Sequence, residues 1–197
     1  MSKKTSIRKI APRKREQIEV NDAKLYELVI LFARRSEGDP PFGSLKLNKM
    51  LFYADFFSYL MLGKPITGQE YFALENGPAL RYKAHLWQHM IENKDIVVRK
   101  EPTIMCTDRE KTIALREPDV SKFSVQELNM AYVFLDAFRD KKGTELSLIT
   151  HTFPGWQLAK ERETIPYSAA FVGDRKPTRD EIVRGLEIER SMALVPA

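Results

Sequence analysis

The sequence lacks features that would place it outside a cytoplasm. It has one cysteine, Cys106, which excludes an intrachain disulfide framework and is typical of a reducing compartment. Its longest largely apolar run, residues 50–62, is shorter than the roughly 20 residues that span a bilayer, and Asp55 interrupts it. The charged N-terminus has no apolar segment behind it that would form a secretory signal. We therefore expect a cytoplasmic protein with no membrane contact.

The main catalytic motifs are also missing. There is no P-loop, no dinucleotide-binding G-x-G-x-x-G and no G-x-S-x-G nucleophile elbow, and nothing around Cys106 marks it as a nucleophile. His85 and His89 are one helical turn apart and could chelate a metal, but Leu86 stands where zinc proteases have glutamate. We interpret both as surface or half-buried histidines. The sequence therefore predicts no catalytic residues, no cofactor and no metal.

The basic excess is confined to the N-terminus. The chain has 32 lysines and arginines against 27 acidic residues, and residues 1–16 hold seven of the former and only Glu16 of the latter. Such a tail would bind a phosphate backbone or an acidic protein surface, or would simply be a solvated extension. Composition alone leaves these alternatives open. The basic residues are Lys3, Lys4, Arg8, Lys9, Arg13, Lys14 and Arg15.

Apolar periodicity predicts a mainly helical (α+β) fold, a compact domain of about six helices with one short strand and one small β-hairpin. The most apolar helix is predicted to begin at Ser44 and to be the most buried. Ser124 and Glu127 have the spacing of a capping box that opens another helix. The β-like runs 96–99 and 112–116 predict the hairpin, with a long tip.

The chain is predicted to consist of one domain and two extensions. Residues 1–20 form a flexible basic extension, 21–162 the helical domain, and 163–197 a C-terminal segment. Thr178 and Glu181 repeat the capping-box spacing, so we expect a final helix there that packs on the domain.

The stretch ENGPAL, residues 75–80, follows a short aromatic strand. Pro78 is predicted to lie in the first turn of a third helix, because proline is favoured there. That helix would have an apolar stripe through Leu80, Ala84, Trp87 and Ile91. Its N-terminus could bind a phosphate or a carboxylate. Alternatively, the stretch is a structural corner whose Glu75 meets the lysines of the preceding helix.

Two stretches together carry a recognisable pattern. Residues 46–87 begin with KLNKMLFYA, continue through Gly63 and Pro65, and end in the ENGP corner; residues 146–159 read LSLITHTFPGWQLA. Over residues 22–160 the chain resembles the Panacea domain of the SocA-like antitoxin family. Met50 stands where that pattern usually has leucine, and Ala79 where it usually has valine.

The resemblance implies an antitoxin that binds and blocks a toxin encoded by a neighbouring gene, within a toxin–antitoxin or phage-defence system, and implies no enzyme activity. The expected partner is the cognate protein toxin, whose active or substrate site the antitoxin would occlude, and a homo- or hetero-oligomer is allowed. The motif residues, structural or partner-binding, are Lys46, Leu47, Lys49, Tyr53, Ala54, Glu75, Gly77, Pro78, Ser147, Thr150, His151 and Trp156. The basic residues of the tail would contact the toxin or nucleic acid.

Other functions stay open on the residues alone. A DNA-binding regulator would use the basic arm and a winged-helix-like element. Its base readers would be Arg81, Lys83, Gln88 and His89. A small-ligand protein would use the ENGP corner or the two histidines, and an adaptor would deliver its partner to a protease.

Overall fold

The computed structural model describes residues 18–102 and 108–173 in full, and residues 178–180, 183, 184, 186, 187 and 190 of the C-terminal segment. The basic residues of the tail, Cys106 and Glu181 lie outside the described residues. The helices are α1 (Asp22–Arg35), α2 (Ser44–Leu62), α3 (Lys83–Glu92), α4 (Val125–Phe138), α5 (Gly143–His151) and α6 (Pro154–Leu158). The strands are β1 (Tyr71–Leu74), β2 (Gly77–Leu80), β3 (Ile96–Pro102) and β4 (Asp108–Ala114), and short 3₁₀ turns occupy Val120–Lys122 and Tyr167–Phe171.

Helix α2 is the centre of the fold. The helices α1, α4 and α5, strands β2 and β4, and the 3₁₀ turn Tyr167–Phe171 all pack on it. Met50, Leu51 and Phe52 are at most 1% exposed, although three successive residues of a helix point in different directions. A helix that is apolar around its circumference is stable only when it is enclosed. The predicted central, most buried helix is therefore confirmed.

The ENGP corner is a β-hairpin and not the start of a helix. Strands β1 and β2 pair antiparallel from Tyr71↔Leu80 to Leu74↔Gly77, so Glu75 and Asn76 form a two-residue turn. The prediction that Pro78 opens α3 was wrong, because that helix begins five residues later, at Lys83. Proline is tolerated in β2 because β2 is an edge strand. The N–H that Pro78 lacks is not needed to pair with a neighbouring strand.

The predicted apolar stripe of α3 was correct at Trp87 and wrong at Ala84 and Ile91. Ala84 is exposed and Ile91 is 39% exposed, whereas Leu86, Trp87 and Met90 are buried.

The second hairpin, β3–β4, was correctly predicted and is longer than expected. Its register runs from Ile96↔Ala114 to Pro102↔Asp108. Arg116, just after β4, holds the hairpin to α1: its guanidinium donates two hydrogen bonds of 2.8 Å to Glu27 and one of 2.6 Å to Asp95. Those carboxylates raise the pKa of Arg116. This ion-pair network fixes the hairpin against the body.

Residues 162–171 complete the core. Strand β1 has backbone hydrogen bonds on its second side with this segment, including Ile165 N to Tyr71 O at 2.8 Å. The hydroxyl of Tyr167 donates to Gln69 O (2.7 Å) and to the fully buried Asp55 (3.3 Å). The division of the chain at residue 162 stays a prediction.

Asp55 on α2 collects donors from three separate parts of the chain. Its carboxylate accepts the Thr67 backbone N–H at 2.7 Å, the Thr67 hydroxyl, the Tyr71 hydroxyl at 2.8 Å and the Tyr167 hydroxyl. Burial raises the pKa of Asp55, while these hydrogen bonds oppose that rise. The site links α2, the loop before β1 and the end of the domain.

The predicted mainly helical α+β fold is confirmed: the described chain has six helices and two small antiparallel hairpins. The capping box of Ser124 and Glu127 at the start of α4 is also confirmed. Within the described ranges, no helix combines the length and the apolar character that a membrane crossing requires.

Candidate functional site

The motif residue Lys46 is an internal anchor. Its side chain is 1% exposed, and Nζ pairs with Asp39 at 2.5 Å and donates to the carbonyl of Lys141 at 3.0 Å. These contacts tie α2 to the loop before it and to the loop that precedes α5. Glu75, the partner considered from the sequence, is exposed and forms no ion pair within the described part of the chain.

Lys49 lies one turn further along α2, beneath the β1–β2 hairpin. Its Nζ donates to the carbonyl of Pro78 at 3.0 Å, and its side chain is 1% exposed. No carboxylate in the described residues forms an ion pair with it. Burial therefore lowers the pKa of Lys49 to about 7. The predicted contact between this lysine and the corner exists, but it is made to the backbone and not to Glu75.

Gly77 permits the close approach of three elements. Its φ is +90°, in the region that favours glycine, and an added Cβ would lie 2.3 Å from Thr150 Oγ1 and 2.7 Å from Lys49 Nζ. There is no room for a side chain between α2, α5 and the hairpin. This explains why the corner pattern carries glycine before Pro78.

The motif residues of α5 and α6 support the other side of the hairpin. The hydroxyls of Ser147 and Thr150 donate to the helix carbonyls of Gly143 (3.1 Å) and Ser147 (2.8 Å). His151 stacks on Trp156 with ring centroids 4.1 Å apart, and Trp156 Nε1 donates to the carbonyl of Leu74 at 2.9 Å. The indole thus holds the end of β1.

The remaining motif residues of α2 belong to the core. Leu47 and Ala54 are fully buried. Tyr53 stacks on Phe134 with centroids 5.6 Å apart and meets Phe138 edge-on at 5.3 Å, both on α4. Burial raises the pKa of Tyr53 to about 12. The structure therefore brings most motif residues together as contacts between α2, α4, α5, α6 and the β1–β2 hairpin.

A surface cavity of about 330 Å³ opens beside the turn of this hairpin, and we call it the turn cavity. Its wall includes the buried Lys49 and the amide of Asn48, whose Oδ1 is buried with no hydrogen-bond partner. Sequence reasoning missed Asn48 and Glu161. Asn48 had a signal, a polar residue between two motif lysines, whereas Glu161 is 112 positions from Lys49 and had none. The lining residues are Leu45, Asn48, Lys49, Leu74, Glu75, Asn76, Gly77, Ala79 and Glu161.

The residues proposed to read DNA bases are held within the domain. Arg81 donates to Thr164 at 2.6 Å and pairs with Glu70 at 3.3 Å. The other three also have intramolecular partners: Lys83 contacts Ser44 and the Trp87 ring, Gln88 donates to Glu92, and His89 stacks on Tyr26. Nucleic-acid binding stays a prediction that rests on the tail.

The two small-ligand sites considered from the sequence have different outcomes. His85 and His89 are both exposed, and the described residues contain no group of three or more His, Cys, Asp and Glu side chains that could hold a metal ion. The corner cannot bind an anion as a helix N-terminus, because Gly77 and Pro78 lie in a strand.

Comparison with known proteins gives one family. The model described as "Antitoxin SocA-like, Panacea domain" matches residues 47–157, which is more than half of the chain. The matched range begins in α2 and ends in α6, so it includes the β1–β2 hairpin and the residues that surround it. Comparisons with curated proteins and with solved structures gave no match.

Proposed function

This chain belongs to the SocA-like antitoxin family with a Panacea domain, and from that membership we propose that it neutralises a protein toxin by binding to it directly. The antitoxin would cover the active or substrate site of the toxin and catalyse no reaction itself. The observation that carries the proposal is the family match over residues 47–157. Membership supports an antitoxin role in general, and the mechanism of occlusion is our inference.

The packing of the motif supports a binding role. Most motif side chains are used to hold α2, α5 and the β1–β2 hairpin together, which leaves the exterior of the domain for partner contacts. That exterior includes large apolar side chains: Phe57 is 41% exposed, Met61 65% and Val133 55%. Apolar and aromatic side chains of this kind supply the contact area of protein–protein interfaces.

The N-terminal tail adds a second contact in this proposal. Its seven basic residues fit a toxin groove that normally holds nucleic acid or a nucleotide. A polar, charged segment that orders on binding covers a large surface, at the cost of conformational entropy. The tail would therefore extend the area over which the toxin is covered.

The test is co-expression with the product of the neighbouring gene. Cells would express that protein alone, with the full chain, or with a chain that lacks residues 1–17, and growth and the toxin level would be measured together. We expect the full chain to restore growth, with the toxin still present and co-eluting with it in size-exclusion chromatography. Reduced rescue by the shortened chain would support the role of the tail.

Four outcomes would contradict parts of the proposal. If no neighbouring protein is toxic, or if growth recovers without a complex, direct neutralisation is wrong. If the toxin disappears in a protease-dependent way, the chain is a delivery adaptor. All seven basic residues of the tail can also be changed to glutamine. If that variant rescues growth as well as the full chain does, the charge of the tail is not needed for neutralisation.

A further inference from the structure

Helices α2 and α4 pack antiparallel through a row of aromatic contacts. Tyr53 meets Phe138 edge-on with ring centroids 5.3 Å apart, and one turn further along α2, Phe57 meets Phe134 at 5.2 Å. Because α4 goes back along its sequence as α2 advances, this register places Met61 beside the turn of α4 that precedes Phe134. The C-terminal half of α2 therefore lies beside the N-terminal half of α4.

The surface of these two half-helices is apolar and uncharged. Residues 56–63, at the end of α2, and residues 128–135 of α4 contain no Asp, Glu, Lys or Arg. Phe57, Met61 and Val133 are nevertheless 41%, 65% and 55% exposed. A surface helix normally has charged side chains on the side that faces solvent, and an exposed apolar surface is typical of an interaction site. We call the surface formed by these three side chains the α2–α4 patch.

The N-terminal tail leaves the domain at one end of this patch. A surface cavity of about 280 Å³ lies where α2 ends and α4 begins, and its wall includes Gly63, Lys64 and Glu127. Ile18, the first described residue, lines the same cavity. Gly63 is only two positions after Met61. The tail therefore begins beside the α2–α4 patch.

The length of the tail limits where its partner groups can lie. Arg15, its last basic residue, is three positions before Ile18, and Arg13 is five positions before it. An extended chain spans at most about 3.5 Å per residue, so these cations stay within roughly 10–18 Å of Ile18. Salt at physiological concentration screens exposed charges beyond about 8 Å. A protein on the α2–α4 patch is therefore attracted by these cations only if its acidic groups lie close to its apolar contact surface.

We propose that the toxin binds to the α2–α4 patch through an apolar surface that is bordered by carboxylates, and that the tail contacts this acidic border. This inference rests on the proposed function. The apolar and aromatic side chains supply affinity, and the basic residues accelerate the encounter. Carboxylates that hold Mg²⁺ at a nucleotide site would form such a border. Nucleic acid alone fits less well, because its phosphates would contact the tail and leave the patch uncovered.

Other exposed apolar side chains lack the adjoining tail. Leu148 on α5 and Leu158 on α6 are 68% and 76% exposed. Neither helix contributes a described residue to the cavity in which the tail begins. These two positions therefore provide a control of the same exposure and similar chemistry.

The first experiment measures the dissociation constant of the neighbouring gene product by titration calorimetry. The patch variant, Met61→Asn with Val133→Ser, removes apolar contact area without a change of charge and should weaken binding at least tenfold. The control variant, Leu148→Ser with Leu158→Asn, should bind like wild type. All four side chains are more than half exposed, so both variants should fold, which circular dichroism and melting temperature would check.

The second experiment repeats the titration at several salt concentrations and adds the tail variant, in which the seven basic residues are glutamine. Wild type should lose affinity as the salt concentration rises. The tail variant should bind more weakly at low salt and show little salt dependence, because it lacks the cations that attract the acidic border. The patch variant should bind weakly at every salt concentration and keep the salt dependence of wild type.

The outcomes distinguish this surface from neutralisation itself. If the patch variant binds like wild type, or if the control variant is weakened equally, the toxin does not bind at the α2–α4 patch, while direct neutralisation stands. If sedimentation shows a dimer of wild type that the patch variant does not form, and the toxin binds both equally, the patch joins two copies of this chain and the proposal is wrong. A tail variant with the full salt dependence would contradict the acidic border. If the neighbouring gene product does not bind wild type, the proposed function fails first.

Discussion

At the scale of single residues, Gly77 is tightly constrained. Three elements meet at its Cα: the hairpin that contains it, Lys49 from α2 and Thr150 from α5. Its backbone conformation, φ +90°, is one that residues with a Cβ rarely adopt. Any substitution of Gly77 therefore lowers the free energy of unfolding for two independent reasons: the new side chain clashes with its neighbours, and the backbone conformation is unfavourable for it.

Gly63 separates these two costs, because it has φ +77° and no atom within 4 Å of an added Cβ. We expect Gly63→Ala to lower the free energy of unfolding by about 1 kcal/mol, which is the conformational cost alone. Gly77→Ala should lower it by about 3 kcal/mol or more, since the Thr150 hydroxyl and Lys49 must also move. Chemical denaturation of both variants measures the difference. Equal losses would show that the corner adjusts without cost.

Residue-level reasoning from the sequence found the motif lysines but not their partners. Lys46 and Lys49 were visible as a polar stripe on an apolar helix, and the corner was correctly placed near them. The acceptors are Asp39, Lys141 O and Pro78 O. Backbone carbonyls carry no sequence signal, so the preference for Glu75 as a partner followed from charge alone.

At the scale of elements, the β1–β2 hairpin shows where local propensity was misleading. The stretch ENGP contains two conflicting signals. Gly-Pro before an apolar run favours the start of a helix, whereas Asn-Gly favours a hairpin. Tertiary contacts decide between them: Trp156 holds Leu74 O, Lys49 holds Pro78 O, and residues 162–165 pair with β1. Two of these three partners are more than 75 positions away, so periodicity could not reveal them.

The attachment of the β3–β4 hairpin to α1 depends on one guanidinium. Arg116→Met would leave Glu27, 5% exposed, without its two charged hydrogen bonds. We expect a loss of about 2 kcal/mol in the free energy of unfolding, because a buried carboxylate without its partner keeps its desolvation cost. Arg139→Met is the matched control, since its pair with Asp136 is exposed on both sides and should contribute within about 0.5 kcal/mol. Thermal or urea unfolding compares the two, and similar losses would contradict the role assigned to Arg116.

At the scale of the whole molecule, the sequence predicted the fold class and the central helix because both depend on composition and apolar period. The closure of the core by residues 162–171 was harder to predict, since this segment is short and irregular. Ile165 and Tyr167 are nevertheless 2% and 7% exposed. Their burial comes from contacts with β1 and α2, which only the three-dimensional structure brings together.

Two truncations test this closure. A chain that ends at residue 173 should unfold cooperatively, with a melting temperature within a few degrees of the full chain, because the described residues Val183 and Leu186 are each 48% exposed. A chain that ends at residue 162 should lose cooperative unfolding. It lacks the large buried side chains of Ile165 and Tyr167, which contribute about 1.5–3 kcal/mol each, and it removes one hydrogen-bond donor from Asp55. Calorimetry distinguishes these results, and a cooperative transition in the shorter chain would contradict the assignment of residues 163–171 to the core.

The hydrogen bonds of the Asp55 carboxylate cannot all form at the same stage of synthesis. Its hydroxyl donors lie at positions 67, 71 and 167, the last of them 112 residues along the chain. During translation, α1, α2 and both hairpins emerge from the ribosome well before Tyr167 does. Until then the Asp55 carboxylate lacks the hydrogen bond from the Tyr167 hydroxyl, and water can take that place. The hydrogen-bond set of Asp55 is therefore complete only after residue 167 has been synthesised, long after α2 itself.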